Sequence, residues 1–144
     1  MTAQQAIDSG FGGAQRRGRG SDLTGRLAVV TGGNSGLGLE TTRALRGATV
    51  VVAVRRPEVA VEAFDALDRV EVRRLNLGDQ AGVHASSDEF LATGRGIGIR
   101  INNAGGMALP ETRLGPGGEA QSATNHLGHY TLTNRLWPAL AADR

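Results

Sequence analysis

The chain has 144 residues, 40% of them hydrophobic and 21% charged, which is enough to bury a core as one domain. An aromatic content of 3% excludes the stacking surfaces that bind single-stranded nucleic acid, and the absence of cysteine excludes disulfides and cysteine-ligated metals. All 16 basic residues are arginine, yet the net charge is only +2. No apolar run approaches the roughly 18 residues of a membrane span and no secretory signal is found. We therefore expect a cytoplasmic protein without a membrane partner.

Residues 1–22 are rich in Gly, Ser and Gln and have a periodicity of neither 2 nor 3.6. They predict a disordered arm that precedes one domain over residues 23–144. The alternative is an arginine-glycine arm that binds nucleic acid, but Arg16, Arg17 and Arg19 have no aromatic residues between them. We expect no nucleic-acid partner.

From Leu23 onward, apolar strands alternate with helical stretches. Strands are predicted at 27–31, 49–54, 70–75 and 97–102, and helices at about 36–45, 57–67, 79–92 and 119–140. Pro57 suits the first turn of the second helix, and Asp79 can cap the third. Alternation of this kind predicts a parallel sheet with right-handed crossovers.

The first predicted strand ends in a glycine-rich turn of the form Thr-Gly-x-x-x-Gly-x-Gly. Gly32 allows a sharp exit from the strand, Gly36 lets the backbone approach a diphosphate, and Gly38 permits close packing of the helix on the sheet. Backbone N–H groups at the start of the next helix then face the phosphates of a nucleotide. Asn34 and Ser35 add side-chain donors. The alternative is a glycine-rich connection that binds no ligand.

The end of the second predicted strand bears on which nucleotide is bound. An NAD site places Asp or Glu about 20 residues beyond the glycines, where the carboxylate accepts from the ribose hydroxyls. Here Arg55 and Arg56 occupy this place, and the first carboxylate is Glu58. A guanidinium cannot accept a hydrogen bond, but it suits a 2′-phosphate. We therefore predict NADP(H) in preference to NAD(H); the alternative is a solvated arginine pair.

Two further segments follow in a characteristic order. Ile101–Gly105 (Ile-Asn-Asn-Ala-Gly) closes the fourth strand, and Asn125–His129 (Asn-His-Leu-Gly-His) lies in the last predicted helix. With the glycine turn, they make the chain resemble the short-chain dehydrogenase/reductase family over about residues 22–142. Flanking segments such as Asp22–Gly25 and Gly36–Thr41 are similar to the branch of retinol dehydrogenases and protochlorophyllide reductases. The resemblance implies the N-terminal half of a Rossmann-like, doubly wound α/β fold, truncated to about four parallel strands in the order 3-2-1-4.

The resemblance also implies roles for individual residues. The diphosphate would be bound by the turn residues Gly32, Asn34, Ser35, Gly36, Leu37 and Gly38, and the 2′-phosphate by Arg55 and Arg56. The adenine would lie by Asn76 and Leu77, which follow the third strand. The nicotinamide ribose would lie along Asn103, Ala104 and Gly105 of the Asn-Asn-Ala-Gly segment. Asn125 matches the family's catalytic asparagine, which holds a water for proton relay. We predict no metal site, because no third ligand accompanies His126 and His129.

The family's proton-transfer residues are not found in these 144 residues. They are a serine and a tyrosine followed four residues later by a lysine, whereas this sequence has no lysine and its single tyrosine, Tyr130, is followed by Asn134. We interpret Tyr130 as a packing residue, because an unassisted tyrosine has a pKa near 10. We therefore expect a polypeptide that binds a nicotinamide dinucleotide but is catalytically incompetent alone. The alternative is a non-catalytic nucleotide-binding or partner-binding module, associating through the exposed edge of strand 4.

Overall fold

A computed structural model describes residues 22–64, 67–108, 110–115 and 118–142, so the predicted N-terminal arm lies outside the described residues except for Asp22. The main sheet has four parallel strands in the order β3-β2-β1-β4. These are β1 (Leu27–Thr31), β2 (Thr49–Val54), β3 (Val70–Arg74) and β4 (Ile99–Ile101). The predicted α/β fold and strand order are confirmed. A small antiparallel hairpin of β5 (Arg113–Leu114) and β6 (Gly118–Glu119) lies between β4 and the last predicted helix, where no strand is predicted.

The two central strands are apolar along their length because both faces of the sheet are covered. Val29 and Val51 belong to one hydrophobic cluster, whereas their neighbours Val30 and Val52 belong to another on the opposite face. Successive side chains of a strand point to opposite faces, so a strand buried on both sides needs apolar residues at every position. The β-branched residues of β1 and β2 meet this need.

Helices cover the two faces. On one face lie α1 (Gly36–Ala44) and α2 (Pro57–Ala60), the latter extended by a 3₁₀ turn at Val61–Phe64. On the other face lie α3 (Gln80–Leu91), α5 (Gly128–Arg135) and α6 (Trp137–Ala142). The short α4 (Ala120–Ser122) and a π-helical turn at Ala123–Leu127 precede α5. None of the helices within the described ranges has the length and apolar character needed to cross a bilayer.

Several element boundaries differ from the prediction. β4 begins at Ile99 rather than Ile97, because the N–H of Ile97 donates to the carbonyl of Ala139 in α6 and not to the sheet. The last predicted helix is broken at Leu136, two residues before Pro138, whose nitrogen has no proton to donate to the preceding turn. Asp79 precedes α3, but its side chain makes no capping hydrogen bond, contrary to expectation.

Arg95 and Arg100 differ in whether their guanidinium groups have hydrogen-bond partners. Arg95, which follows α3, donates from both Nη atoms to the carboxylate of Glu71 on β3, at 2.7 and 3.0 Å. Arg100 on β4 has three buried guanidinium nitrogens without a hydrogen-bond partner among the described residues, and burial lowers its pKa to about 10. An unpaired buried charge is costly, so β4 carries a local defect.

Candidate functional site

A cleft of about 600 Å³ lies at the carboxyl ends of the strands. This is where open α/β sheets bind ligands, close to the point at which the strand order reverses. Among the residues predicted from the sequence, only Gly36 is absent from the lining, and its neighbours on both sides are present. The lining contains Gly32, Asn34, Ser35, Leu37, Gly38, Arg55, Arg56, Asn76, Leu77, Asn103, Ala104, Gly105 and Asn125.

The three glycines of the turn differ in their surroundings. Gly32 has φ +65°, and a Cβ there would lie 2.9 Å from Cα of Ala104. A Cβ on Gly38 would overlap the carbonyl of Gly32 and the side-chain amide of Asn103, so α1 can approach the sheet only without one. Gly36 has φ +51° and open space where its Cβ would be. The turn is thus tightly packed at its two ends and open in the middle.

The N-terminus of α1 opens beside this turn. Ser35 is the N-cap residue and has an extended backbone, but its side chain makes no capping hydrogen bond. The first N–H groups of a helix have no partner within the helix, and the helix dipole favours an anion near them. The N-terminus of α1 therefore offers backbone N–H donors to which the side chain of Ser35 makes no hydrogen bond.

The charged side chains of the lining are both positive. Arg55 and Arg56 line the cleft and are exposed, whereas no Asp or Glu belongs to the lining formed by the described residues. The nearby carboxylate of Glu58 accepts from Nη2 of Arg74 at 3.1 Å. Nη1 of the same arginine donates to the carbonyl of Arg55 at 3.2 Å. The positive end of the cleft is thus left without a competing carboxylate in its wall.

Two asparagine side chains fix the loop that follows β4. Nδ2 of Asn103 donates to the carbonyls of Thr31 and Gly32, each at 3.1 Å. The side chain of Asn125 makes two hydrogen bonds with Gly106, accepting from its N–H at 2.9 Å and donating to its carbonyl at 2.8 Å. The predicted catalytic asparagine is therefore engaged in holding this loop.

A buried polar group lies beneath the same loop. The hydroxyl of Thr31 accepts from the N–H groups of Asn103 and Ala104 at 3.0 and 3.1 Å, and Nε2 of His129 lies 2.8 Å away. Nδ1 of His129 lies 3.1 Å from the carbonyl of Asn125. Burial lowers the pKa of His129 from its ordinary value, the Asn125 carbonyl raises it, and the charge of Arg100 lowers it further.

Sequence reasoning missed part of the lining. Gly106 directly follows the Asn-Asn-Ala-Gly segment, and Ala120 and Thr124 have the four-residue spacing of one helix face, which is a usable signal. Leu114 comes from the unpredicted hairpin, and no pattern in the sequence indicates it. Tyr130 differs from its expected role: it is 63% exposed, stacks on His126 at 6.4 Å between ring centroids, and does not line the cleft.

Comparison with known proteins gives consistent results. The family model described as short chain dehydrogenase matches residues 26–144. The chain is 49% identical over 129 residues to a probable oxidoreductase of Streptomyces antibioticus, covering 83% of this chain and 42% of the relative. It is 41% identical to retinol dehydrogenase 12 of Bos taurus over 122 residues, which are 79% of this chain and 39% of the relative.

A solved structure shares the fold. The chain superposes with a TM-score of 0.67 and 32% identity on a metagenomic short-chain oxidoreductase in complex with NADP, covering 85% of this chain and 59% of that one. The chain thus spans less than half the length of the two curated relatives described above. With the family model covering most of its length, the chain belongs to the short-chain dehydrogenase/reductase family.

Proposed function

We propose that this chain binds NADP(H) and forms the cofactor-binding part of a short-chain oxidoreductase. The observation that carries the proposal is a single cleft that joins the uncapped N-terminus of α1 to the pair Arg55 and Arg56. A dinucleotide phosphate is an extended anion with negative charge at its diphosphate and at its 2′-phosphate. Helix N-termini and arginines are the groups that proteins use for such anions.

The residues present fit this ligand. Gly32 and residues 34–38 of the turn would contact the diphosphate, where the open space at Gly36 leaves room for close approach. Asn76 and Leu77 would lie by the adenine, and Asn103–Gly105 along the nicotinamide ribose. When bound, the nicotinamide supplies or takes up the hydride exchanged with a carbonyl or alcohol group. The family's catalytic asparagine, which Asn125 matches, holds a water for proton relay through its helix backbone. We propose the same role for the backbone of Asn125, whose side chain is engaged by Gly106.

The preference for NADP(H) over NAD(H) rests on charge. A ribose 2′-hydroxyl needs an acceptor, whereas the wall of the cleft offers two guanidinium groups and, among the described residues, no carboxylate. The complex of the metagenomic relative with NADP supports binding of a nicotinamide dinucleotide in a fold of this kind.

The test is calorimetric titration of NADP⁺ and NAD⁺ into the 144-residue polypeptide and into Arg55→Gln. A lost charge-assisted hydrogen bond contributes about 1.5–3 kcal/mol, so we expect the Kd for NADP⁺ to rise about tenfold to a hundredfold in the variant. The Kd for NAD⁺ should stay unchanged. Arg46→Gln is the matched control, because this exposed arginine after α1 is not part of the cleft lining and should affect neither ligand. Equal affinity of the unaltered polypeptide for both nucleotides would overturn the preference.

The same preparation tests catalysis. These 144 residues contain no lysine, and Tyr130 does not line the cleft, so we expect no NADPH oxidation with aldehydes or ketones beyond the background rate. Turnover at ordinary enzyme rates, in the range of about 1–1000 per second, would show that another residue transfers the proton.

We further propose that the outer edge of β4 is an association surface. β4 pairs with β1, and no described strand pairs with its other side. A cytoplasmic location also stays a prediction, since two relatives from Brassica napus are named as chloroplastic.

A further inference from the structure

The hydrogen-bond network around Thr31 fixes which nitrogen of the neutral His129 ring carries the proton. The carbonyl oxygen of Asn125 can only accept, so Nδ1 of the ring, 3.1 Å away, carries the proton. In a neutral imidazole the other nitrogen is then an acceptor, and the hydroxyl of Thr31 donates to Nε2 at 2.8 Å. The carbonyl of Ile101, at 3.5 Å, is the weaker alternative acceptor for this hydroxyl.

With its proton directed to His129, the oxygen of Thr31 keeps two lone pairs. Both are used, because the N–H groups of Asn103 and Ala104 donate to it at 3.0 and 3.1 Å. Thr31 is fully buried, so water cannot replace a lost partner there. The hydroxyl therefore has one donor and two acceptor positions, and the protein fills all three.

We infer that His129 is a positioning residue of the cleft, whose neutral ring holds the Thr31 hydroxyl so that it can bind the two amides of Asn103 and Ala104. This inference rests on the proposed function, because these two residues line the cleft at the place assigned to the nicotinamide ribose. His129 itself does not line the cleft and acts only through Thr31.

Protonation of the ring would break this arrangement. The imidazolium presents Nε2–H to the Thr31 oxygen, which then faces three donors with two lone pairs. One amide of the loop loses its acceptor, and the hydroxyl proton turns toward the carbonyl of Ile101. Arg100 on β4 disfavours the charged ring. On the facing helix α3, Asp88 pairs with Arg135, so it does not offset a charge on His129.

Two substitutions of His129 test whether its ring acts as a hydrogen-bond acceptor for Thr31 or only fills space. His129→Gln removes the titratable group, but its amide oxygen can accept from Thr31, whereas His129→Leu offers no acceptor. At about pH 8 we expect His129→Gln to bind NADP⁺ within about threefold of the unaltered chain and His129→Leu to bind at least about fivefold more weakly. His126→Gln is the control, because His126 is exposed and outside the cleft lining.

The discriminating measurement is the Kd for NADP⁺ between about pH 8 and pH 5. Every variant loses affinity as the ligand's own phosphate takes up a proton near pH 6. The unaltered chain and His126→Gln should lose more affinity than His129→Gln, because only His129→Gln cannot form the imidazolium. Identical profiles for the unaltered chain and His129→Gln, with NADP⁺ bound, would overturn the inference and leave the proposed function standing.

A second measurement needs no ligand. In amide ¹H–¹⁵N spectra of the free protein, the signals of Asn103 and Ala104 should shift as the pH falls through the lowered pKa of His129. They should stay in place in His129→Gln. Amide signals that do not respond to pH in the unaltered chain would overturn the inference even if His129→Leu fails to fold. If NADP⁺ binds at no pH, the proposed function fails, and the role of His129 in cofactor binding fails with it.

Discussion

At the scale of single residues, the least favourable feature is the guanidinium of Arg100. Its Nε and both Nη atoms are buried without a hydrogen-bond partner among the described residues, and burial lowers its pKa to about 10. Because the pKa of the Arg100 guanidinium is lower in the folded state than in the unfolded state, its positive charge destabilises the fold. This destabilisation is fully present at every pH below the folded pKa, which includes the ordinary pH range. β4 thus carries an arginine at a position where an apolar side chain would be more stable.

We predict that Arg100→Met stabilises the 144-residue polypeptide. Removing an unsatisfied buried polar group while keeping an unbranched side chain should raise the free energy of unfolding by about 1–3 kcal/mol. Urea denaturation followed by circular dichroism measures the change. Arg46→Met, at an exposed site, should change it by less than about 0.5 kcal/mol. A loss of stability in Arg100→Met would mean that Arg100 has a partner outside the described residues.

At the scale of elements, the ion pair of Glu71 and Arg95 ties β3 to the segment after α3. The hydrogen bond from Arg95, against a smaller effect of burial, lowers the pKa of the Glu71 carboxyl. An acid with a lowered pKa in the folded state contributes stability above its unfolded pKa, and this is lost as the pH falls through the folded value. Both side chains are about one-third exposed, so solvent screens the pair.

We therefore predict that Glu71→Gln costs about 0.5–1 kcal/mol at neutral pH. The difference from the unaltered chain should shrink below about pH 4 and vanish once the carboxyl is protonated. Thermal unfolding at several pH values measures it. Glu62→Gln, on the exposed 3₁₀ turn, is the control. A difference that stayed constant down to the lowest pH would show that the pair contributes by packing and not by charge.

The elements also show how far the sequence alone could be used. β1 and β2 were predicted at their observed boundaries, because short apolar runs rich in β-branched residues are typical of strands buried on both faces. The start of β4 could not be predicted, since it depends on a hydrogen bond between Ile97 and Ala139, which are far apart in the chain. The hairpin of β5 and β6 was not predicted, because strands of two residues are too short to show a periodic pattern in the sequence.

The sequence indicated part of the lining of the cleft but none of the contacts within it. Glycines and a post-strand arginine pair carry local signals, and these residues do line one cleft, apart from Gly36. The hydrogen bond between Thr31 and His129 joins residues 98 positions apart, and nothing in the Asn-His-Leu-Gly-His segment indicates it. A long-range network of this kind is set by tertiary packing, which a single sequence does not reveal.

At the scale of the whole molecule, the sheet has two outer strands of different character. β3 carries Glu71, Arg73 and Arg74, and charged side chains discourage pairing at an edge. β4 offers two isoleucines around Arg100 and has no described strand on its outer side. We therefore expect pairing with a further strand at β4 rather than at β3.

We predict that the 144-residue polypeptide associates at high concentration. Sedimentation velocity from micromolar to near-millimolar protein should show a mass rising above the 15.0 kDa of one chain. Self-association should be weak, because a symmetric pair of β4 strands brings two Arg100 side chains toward each other. A constant monomer mass over the whole range would argue against the β4 edge as an association surface.

The loop after β4 has a consequence for the kinetics of recognition. Its backbone is held at Asn103, Ala104 and Gly106 by hydrogen bonds to the side chains of Thr31 and Asn125, which lie in other parts of the chain. When a loop is already ordered, ligand binding does not incur the conformational entropy cost of ordering that loop. We therefore expect nucleotide binding to follow a single exponential. Its observed rate constant should rise linearly with ligand concentration, without the plateau that a slow rearrangement of the protein imposes.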